Sequence, residues 1–294
     1  MKARARTVHT YLDCIPCFFR QALRALRLAG ADEALQGEIL LEFSRRLGNF
    51  TPADPPPALG RELYALIRER VGKDPYREIK RQANREALAL YPELKERIAR
   101  SGDPLRAAVG FAIAANIIDY GAGTEHDLNA ELERALRAGF GTFEYDAFRE
   151  ALGRAGSVLY LADNAGEIVF DRLLVEEILA LGDHDLTLAV RGAAVINDAT
   201  RDDARQAGLE EVCRVIDNGD DSPGTMLERC SDELRRRFAD ADLVVSKGQG
   251  NLESLWGARQ AGLFFLFKVK CAAVERNLGL DRGETVLLRN PPPA

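Results

Sequence analysis

The chain has 294 residues, 46% hydrophobic and 29% charged, with a net charge of −6 at pH 7. That length supports a large core and two domains or subdomains, while the acidic balance argues against nucleic acid as a partner, since such surfaces are usually basic. No stretch approaches the roughly eighteen apolar residues of a membrane span. The N-terminus, MKARARTVHTYLD, has no apolar run behind its basic residues to make a signal peptide, so a cytoplasmic protein is expected.

The first half reads as helices. Cys17 to Leu28 carries Phe18, Ala22 and Leu26 at helical spacing, and Glu38 to Leu47, Leu59 to Val71 and Pro75 to Leu90 continue the pattern. The segment TPADPPPALG (residues 51–60) is a Pro-rich connector, expected to be non-helical until its end. Pro104 then opens an apolar helix over Leu105 to Tyr120, stopped by Gly121-Ala122-Gly123. Asn116 and Asp119 share one face of it. Two readings stand for that pair: a hydrogen-bonded core pair or helix cap, or part of a substrate site.

From residue 157 the rhythm changes to strand then helix. Predicted strands are Val158 to Ala162, Leu186 to Arg191, Val212 to Ile216, Leu243 to Ser246 and Leu263 to Val269, with Thr285 to Leu288 as an edge. Helical stretches between them, such as Glu167 to Leu181, imply parallel pairing through right-handed crossovers. The expected class is α/β: a Rossmann-like, mostly parallel sheet flanked by helices, with an all-helical N-terminal domain. The division predicted is 1–150 and 151–294.

Polar groups follow each predicted strand. They are Asp163-Asn164, then Arg191 with Asn197-Asp198, then Asp217-Asn218-Gly219-Asp220, then Lys247-Gly248-Gln249-Gly250-Asn251, then Lys268 and Lys270. Open α/β sheets bind ligands at the carboxyl ends of their strands, so these loops describe one cleft. Asp163, Asn164 and Asp198 offer hard oxygen ligands for a divalent cation such as Mg²⁺ or Mn²⁺. Such a cation makes water nucleophilic and polarises a phosphoryl group. Seven of the 40 basic residues are Lys, and Lys247, Lys268 and Lys270 are three of those. Lys247 and Lys270, with the amides of the Gly-rich turn, are expected to meet a phosphate. A phosphoaspartyl enzyme would need an acid at Ala165, and no G-x-x-x-x-G-K-[ST] loop or dinucleotide fingerprint occurs.

In order along the chain, LADNAGEIVFD (161–171), VRGAAVINDAT (190–200), SKGQGNLE (246–253) and FKVKC (267–271) resemble the motifs of the damage-control phosphatase family, formerly domain of unknown function 89. Asn116-Ile117-Ile118-Asp119 resembles its N-x-x-D helix, and Cys14-Ile15-Pro16-Cys17 its prokaryotic branch. The resemblance spans nearly the whole chain. It implies a helical domain on a Rossmann-like domain and a metal-dependent phosphatase acting on small phosphorylated metabolites, with manganese, nickel, cobalt or magnesium as the metal. It places the metal ligands on Asp163, Asn164 and Asp198, phosphate binding on Lys270, the substrate loop on Gln249 to Glu253, and an acid near the Asp-Asn pair on Glu167. The eukaryotic R-T-x-K motif is FKVK here, so that branch's sugar-phosphate preference is not implied. No glycine-rich cofactor loop supports the methyltransferase activity also proposed for the family. A non-catalytic phosphometabolite sensor is the alternative from another class.

Five cysteines make no disulfide framework. Cys14-x-x-Cys17 at a helix start has three readings: a redox pair, half a metal site completed by Cys271 or His9, or a buried pair without chemistry.

Overall fold

Two periodicities divide the chain, and the fold follows them. A computed structural model describes residues 8–116, 130, 132–134, 137 and 139–291. Helices α1 (Cys14–Leu28), α2 (Glu33–Arg46) and α3 (Pro56–Val71) bury Phe18, Leu26, Phe43, Leu63 and Tyr64 in one cluster. Asp32 caps α2 by accepting from Leu35 N at 2.9 Å. The prolines expected to keep the connector extended instead open α3, because their missing N–H groups fall in a first turn that needs none. Helix α4 (Arg77–Ala99) runs beyond its predicted end at Leu90 and through Pro92, its last turns held by buried Leu94 and Ile98. Helix α5 (Pro104–Ala115) starts on Asp103, which accepts from Arg106 N at 3.1 Å.

The strands are β1 (Ser157–Leu161), β2 (Asp185–Val190), β3 (Arg214–Asp217), β4 (Leu243–Lys247), β5 (Leu263–Lys268) and β6 (Thr285–Arg289). They form one sheet in the order β3-β2-β1-β4-β5-β6, parallel except for β6 against β5. Side chains alternate across it. Val158 and Tyr160 of β1 face one core, and Leu159 and Leu161 the other.

The first core joins β1, β2, β4 and β5 to α4, α5, α6 (Tyr145–Arg154), α7 (Glu167–Leu181) and α8 (Arg201–Gln206). It mixes residues from both sides of position 150, because α4 to α6 pack as a layer of the sheet. The second core lies under α9 (Asp232–Asp240), α10 (Gly248–Leu255) and α11 (Ala272–Leu278). Among the described residues no helix is long and apolar enough to cross a membrane.

Strand order reverses between β1 and β4, and that switch point places the crevice for a ligand outside their carboxyl ends. Two polar seams fix the helices over it. Arg61 Nε of α3 meets Asp221 Oδ1 at 2.7 Å, joined by Arg68. Asn84 Oδ1 of α4 accepts from Gly166 N at 2.7 Å, between β1 and α7.

Candidate functional site

The site is built by two loops that the chain zips together. After β1 it turns at Asp163-Asn164, and Gly166, at φ +76°, lets α7 begin at once. The loop after β2 returns alongside, bridging Asp198 to Asn164. Ala199 N donates to Asp163 O at 2.8 Å, and Ala165 N to Asn197 O at 2.9 Å. Ile196 sits at φ +46°, a left-handed conformation costly for a β-branched residue. These bonds hold it there, and the turn carries Asn197 and Asp198 into the cleft. Asp163, Asn164 and Asp198, separate in sequence, thus share one wall.

Their hydrogen bonds assign each oxygen. Asp163 Oδ2 accepts from Asn116 Nδ2 at 3.0 Å and Asn164 Nδ2 at 2.7 Å. Asp198 Oδ2 accepts from Arg191 Nε at 2.6 Å. Asp163 Oδ1, Asn164 Oδ1 and Asp198 Oδ1 accept no hydrogen bond from the described residues, although Asp163 Oδ1 lies 3.8 Å from the Arg191 guanidinium. Burial, then the Glu167 and Asp198 carboxylates, push the Asp163 carboxyl well above the usual range. Burial raises Asp198 as well, partly offset by Arg191.

This donor set fits a hard divalent cation. Three oxygens from two carboxylates and an amide lie among more buried acids than the neighbouring cations neutralise, and the remaining positions would fall to water and substrate. The fit depends on that amide, since among the described residues no group of three His, Cys, Asp or Glu could hold a metal ion. Glycine matters here for space. Gly248 passes so close to Asp163 that a Cβ there would lie 1.9 Å from Asp163 Oδ2, and its φ is +80°.

The wall opens on a cleft of about 370 Å³. Of the residues predicted for the site, Asp163, Asn164, Asp198, Gln249, Gly250, Glu253, Lys270, Cys14, Cys17 and Cys271 line it. Phe18, Pro56, Pro57, Ile196 and Pro223 supply apolar surface that sequence reasoning missed. Gln249 organises the rim. Its Oε1 accepts from Lys270 N at 3.0 Å, and its Nε2 reaches Glu253 Oε1 at 2.7 Å and Cys271 Sγ at 3.3 Å. Burial pushes the Glu253 carboxyl up to about 7. A larger cavity of about 600 Å³ opens at the amino ends of β1 to β3, the end that open sheets do not use for ligands, and its Arg214 is already paired with Glu233.

Other predicted residues lie elsewhere. Lys247 was expected to meet phosphate beside Lys270, but it is fully buried and ion-paired with Glu167 and Asp171. Glu167, Asn116 and Gly248 lie beneath the wall and not on it. Asn251 is buried too: its Nδ2 donates to Ala162 O, and its Oδ1 accepts from Arg191 and Thr225. Asp119 lies outside the described residues. The polar groups after β3, Asp217 to Asp220, do not line the cleft either, and that loop reaches it through Pro223. Asn218 Oδ1 accepts the backbone N–H groups of Gly192 and Asp220, and Asp221 anchors α3. Lys268 and Lys270 part company because β5 ends at Lys268, whose N–H turns to Asn116 Oδ1 at 3.2 Å.

The model of the damage-control phosphatase ARMT1-like domain matches residues 10–286. The chain belongs to that family. It is 31% identical to a damage-control phosphatase of Pyrococcus horikoshii, over 95% of this chain and 97% of that one. It is 33% identical to a damage-control phosphatase of Archaeoglobus fulgidus, over 93% and 96%. The crystal structure of a DUF89 family protein from Pyrococcus horikoshii superposes with a TM-score of 0.90 at 30% identity, covering 96% of this chain and 99% of that one. The six-stranded, mostly parallel sheet is thus the family's architecture.

Within that family setting Cys14, Cys17 and Cys271 line the cleft rim as free thiols. Burial raises the pKa of both Cys14 and Cys271, the reverse of an activated redox thiol. No strand precedes α1 among the described residues, as the thioredoxin arrangement would need.

Proposed function

We propose that the chain is a cytoplasmic, metal-dependent phosphatase that hydrolyses small phosphorylated metabolites in this cleft. The observation that carries the reading is the Asn164–Asp198 bridge, which sets Asp163, Asn164 and Asp198 on one wall with Lys270 across the same cleft. The family relatives named damage-control phosphatases support the same reaction class.

Asp163, Asn164 and Asp198 would hold the cation through their Oδ1 atoms. When bound, a divalent cation supplies Lewis acidity toward phosphoryl oxygens and toward water. The chain's own residues do the rest. Arg191 takes one oxygen of Asp198 and keeps its carboxylate oriented, while Asn116 does the same for Asp163. Lys270 offers an ammonium to phosphate oxygens, its backbone held by Gln249. Phe18, Pro56, Pro57, Ile196 and Pro223 exclude water from part of the wall. The cleft volume of about 370 Å³ suits a small ester and not a macromolecular phosphate.

Protein stripped with chelator is expected to regain hydrolysis of p-nitrophenyl phosphate with Mg²⁺, Mn²⁺, Co²⁺ or Ni²⁺. Failure with every metal across a broad panel of phosphate esters would overturn the reading. Tight ester binding without turnover would replace it with a sensor.

A further inference from the structure

Beneath the cleft wall lies a charged group for which the proposed chemistry has no direct use. Lys247, at the end of β4, has no exposed surface. Its ammonium donates to Glu167 Oε1 at 2.6 Å and to Asp171 Oδ1. Glu167 and Asp171 stand one helical turn apart on α7, which turns both carboxylates toward it. Tyr160 OH, from β1, donates to the same Asp171 oxygen at 2.7 Å. Burial alone would drive the Lys247 ammonium toward neutrality, but the two carboxylates outweigh it and hold its pKa above the ordinary value.

The other end of Glu167 touches the candidate metal ligands. Its Oε2 accepts from Asn116 Nδ2 at 2.8 Å and from Asn164 Nδ2 at 3.0 Å. Both NH₂ groups also donate to Asp163 Oδ2. Each amide Nδ2 thus has two acceptors, Asp163 Oδ2 and Glu167 Oε2, one for each of its hydrogens. That leaves no choice about the carbonyl ends. Asn116 Oδ1 takes the Lys268 N–H at 3.2 Å, and Asn164 Oδ1 is left for the cleft.

We propose that Lys247 is a positioning residue for the metal centre. By its ion pair with Glu167 Oε1 it fixes where that carboxylate lies, and Glu167 Oε2 in turn orients the Asn164 amide so that its oxygen is left for the cation. Asp171 and Tyr160 hold the ammonium in place from the far side. This rests on the metal-centre reading above. It replaces the expected contact between Lys247 and substrate phosphate.

The test is a Mn²⁺ titration of the metal-free protein without substrate, read by electron paramagnetic resonance of free Mn²⁺. Two variants serve: Lys247→Met, and Lys247→Met combined with Asp171→Asn. The double variant removes one positive and one negative charge from the buried cluster, so it keeps the local net charge and decides the matter if the single variant does not fold. Both are expected to bind Mn²⁺ roughly 10- to 100-fold more weakly, as loss of partners behind metal ligands typically does. KM for p-nitrophenyl phosphate at saturating Mn²⁺ should stay at the wild-type value. Unchanged Mn²⁺ affinity with a raised KM would place Lys247 on the substrate and overturn the inference. Unchanged affinity with unchanged KM would reduce it to a packing residue and overturn it equally. Wild-type protein that binds no Mn²⁺ would overturn the metal-centre reading itself, and this inference with it.

Discussion

Lys247 and Lys270 read alike in sequence, each closing a strand at the same edge of the sheet, yet they belong to two regions with opposite physics. The floor beneath the cleft is dry. Lys247 is shared there by the Glu167 and Asp171 carboxylates, with Asn116 and Tyr160 donating to them, because a buried ammonium without such partners would be costly in low dielectric. The rim is wet at its edge. Lys270 is exposed, Gln249 bridges Lys270 N, Glu253 and Cys271, and the thiols of Cys14 and Cys271 stay protonated. Asp163 sits at the boundary, lining the cleft with its Oδ2 tied to the floor amides and its Oδ1 3.8 Å from the buried Arg191 guanidinium. The difference teaches that the floor fixes geometry while the rim is left to meet ligand.

The strongest way to break this comparison is to neutralise the boundary acids. Asp163→Asn and Asp198→Asn should each cost at least about 10²–10³ in turnover at saturating metal, the scale of losing one preorganised electrostatic group. Asp198→Ala should also cost about 3–5 kcal/mol of stability, since it removes the nearest carboxylate, at 2.6 Å, from the buried Arg191 guanidinium, and chemical denaturation would measure that. Equal stability of Asp198→Asn and Asp198→Ala would mean that Asn251, Thr225 and Asp163 satisfy Arg191 without Asp198.

Gly248→Ala probes the same boundary from the backbone. It forces a Cβ into Asp163 and strains a φ of +80°, so metal-stimulated turnover should vanish along with stability. Gly72→Ala, at φ +73° with nothing nearby, should lose only the conformational term of about 1–2 kcal/mol and keep full activity.

On the rim, Lys270→Met keeps the aliphatic stem and removes the charge. Substrate affinity should fall roughly 10- to 100-fold, the value of a charge-assisted hydrogen bond. The melting temperature should not move, because the ammonium is exposed. Wild-type kinetics would remove Lys270 from the phosphate site.

The smallest expected effect is at Glu253. Its folded pKa, raised to about 7 by burial, lies above the unfolded value of 4.5. Its contribution to stability is therefore fully present below pH 4.5 and lost as pH rises through 7. Glu253→Gln should melt higher than wild type at pH 8 and gain almost nothing at pH 4. A gain of equal size at both pH values would mean the carboxyl is not titrating in that window.

Much of this was legible in residue order. The change from helical to strand-helix rhythm near residue 157 specified a mostly parallel α/β sheet, since buried parallel strands read as short apolar runs. Asp163, Asn164 and Asp198 were legible because loops at the carboxyl ends of such strands have one place to go. Local signals misled where packing overrode them: Pro56 and Pro57 began a helix, and Pro92 was carried inside one. Asp171 offered a faint signal, an acid one turn after Glu167 on an otherwise apolar stretch.

What residue order could not distinguish was which polar side chains point into the cleft and which point beneath it. Lys247 ends β4 and Lys270 follows two residues after β5, and only the packing of α7 against the sheet placed two carboxylates under one and open space beside the other. A side chain's chemistry is written in the sequence. Its charge partners are set by long-range contacts, and in a dry interior those partners decide whether an ammonium orients a neighbour or waits for a ligand.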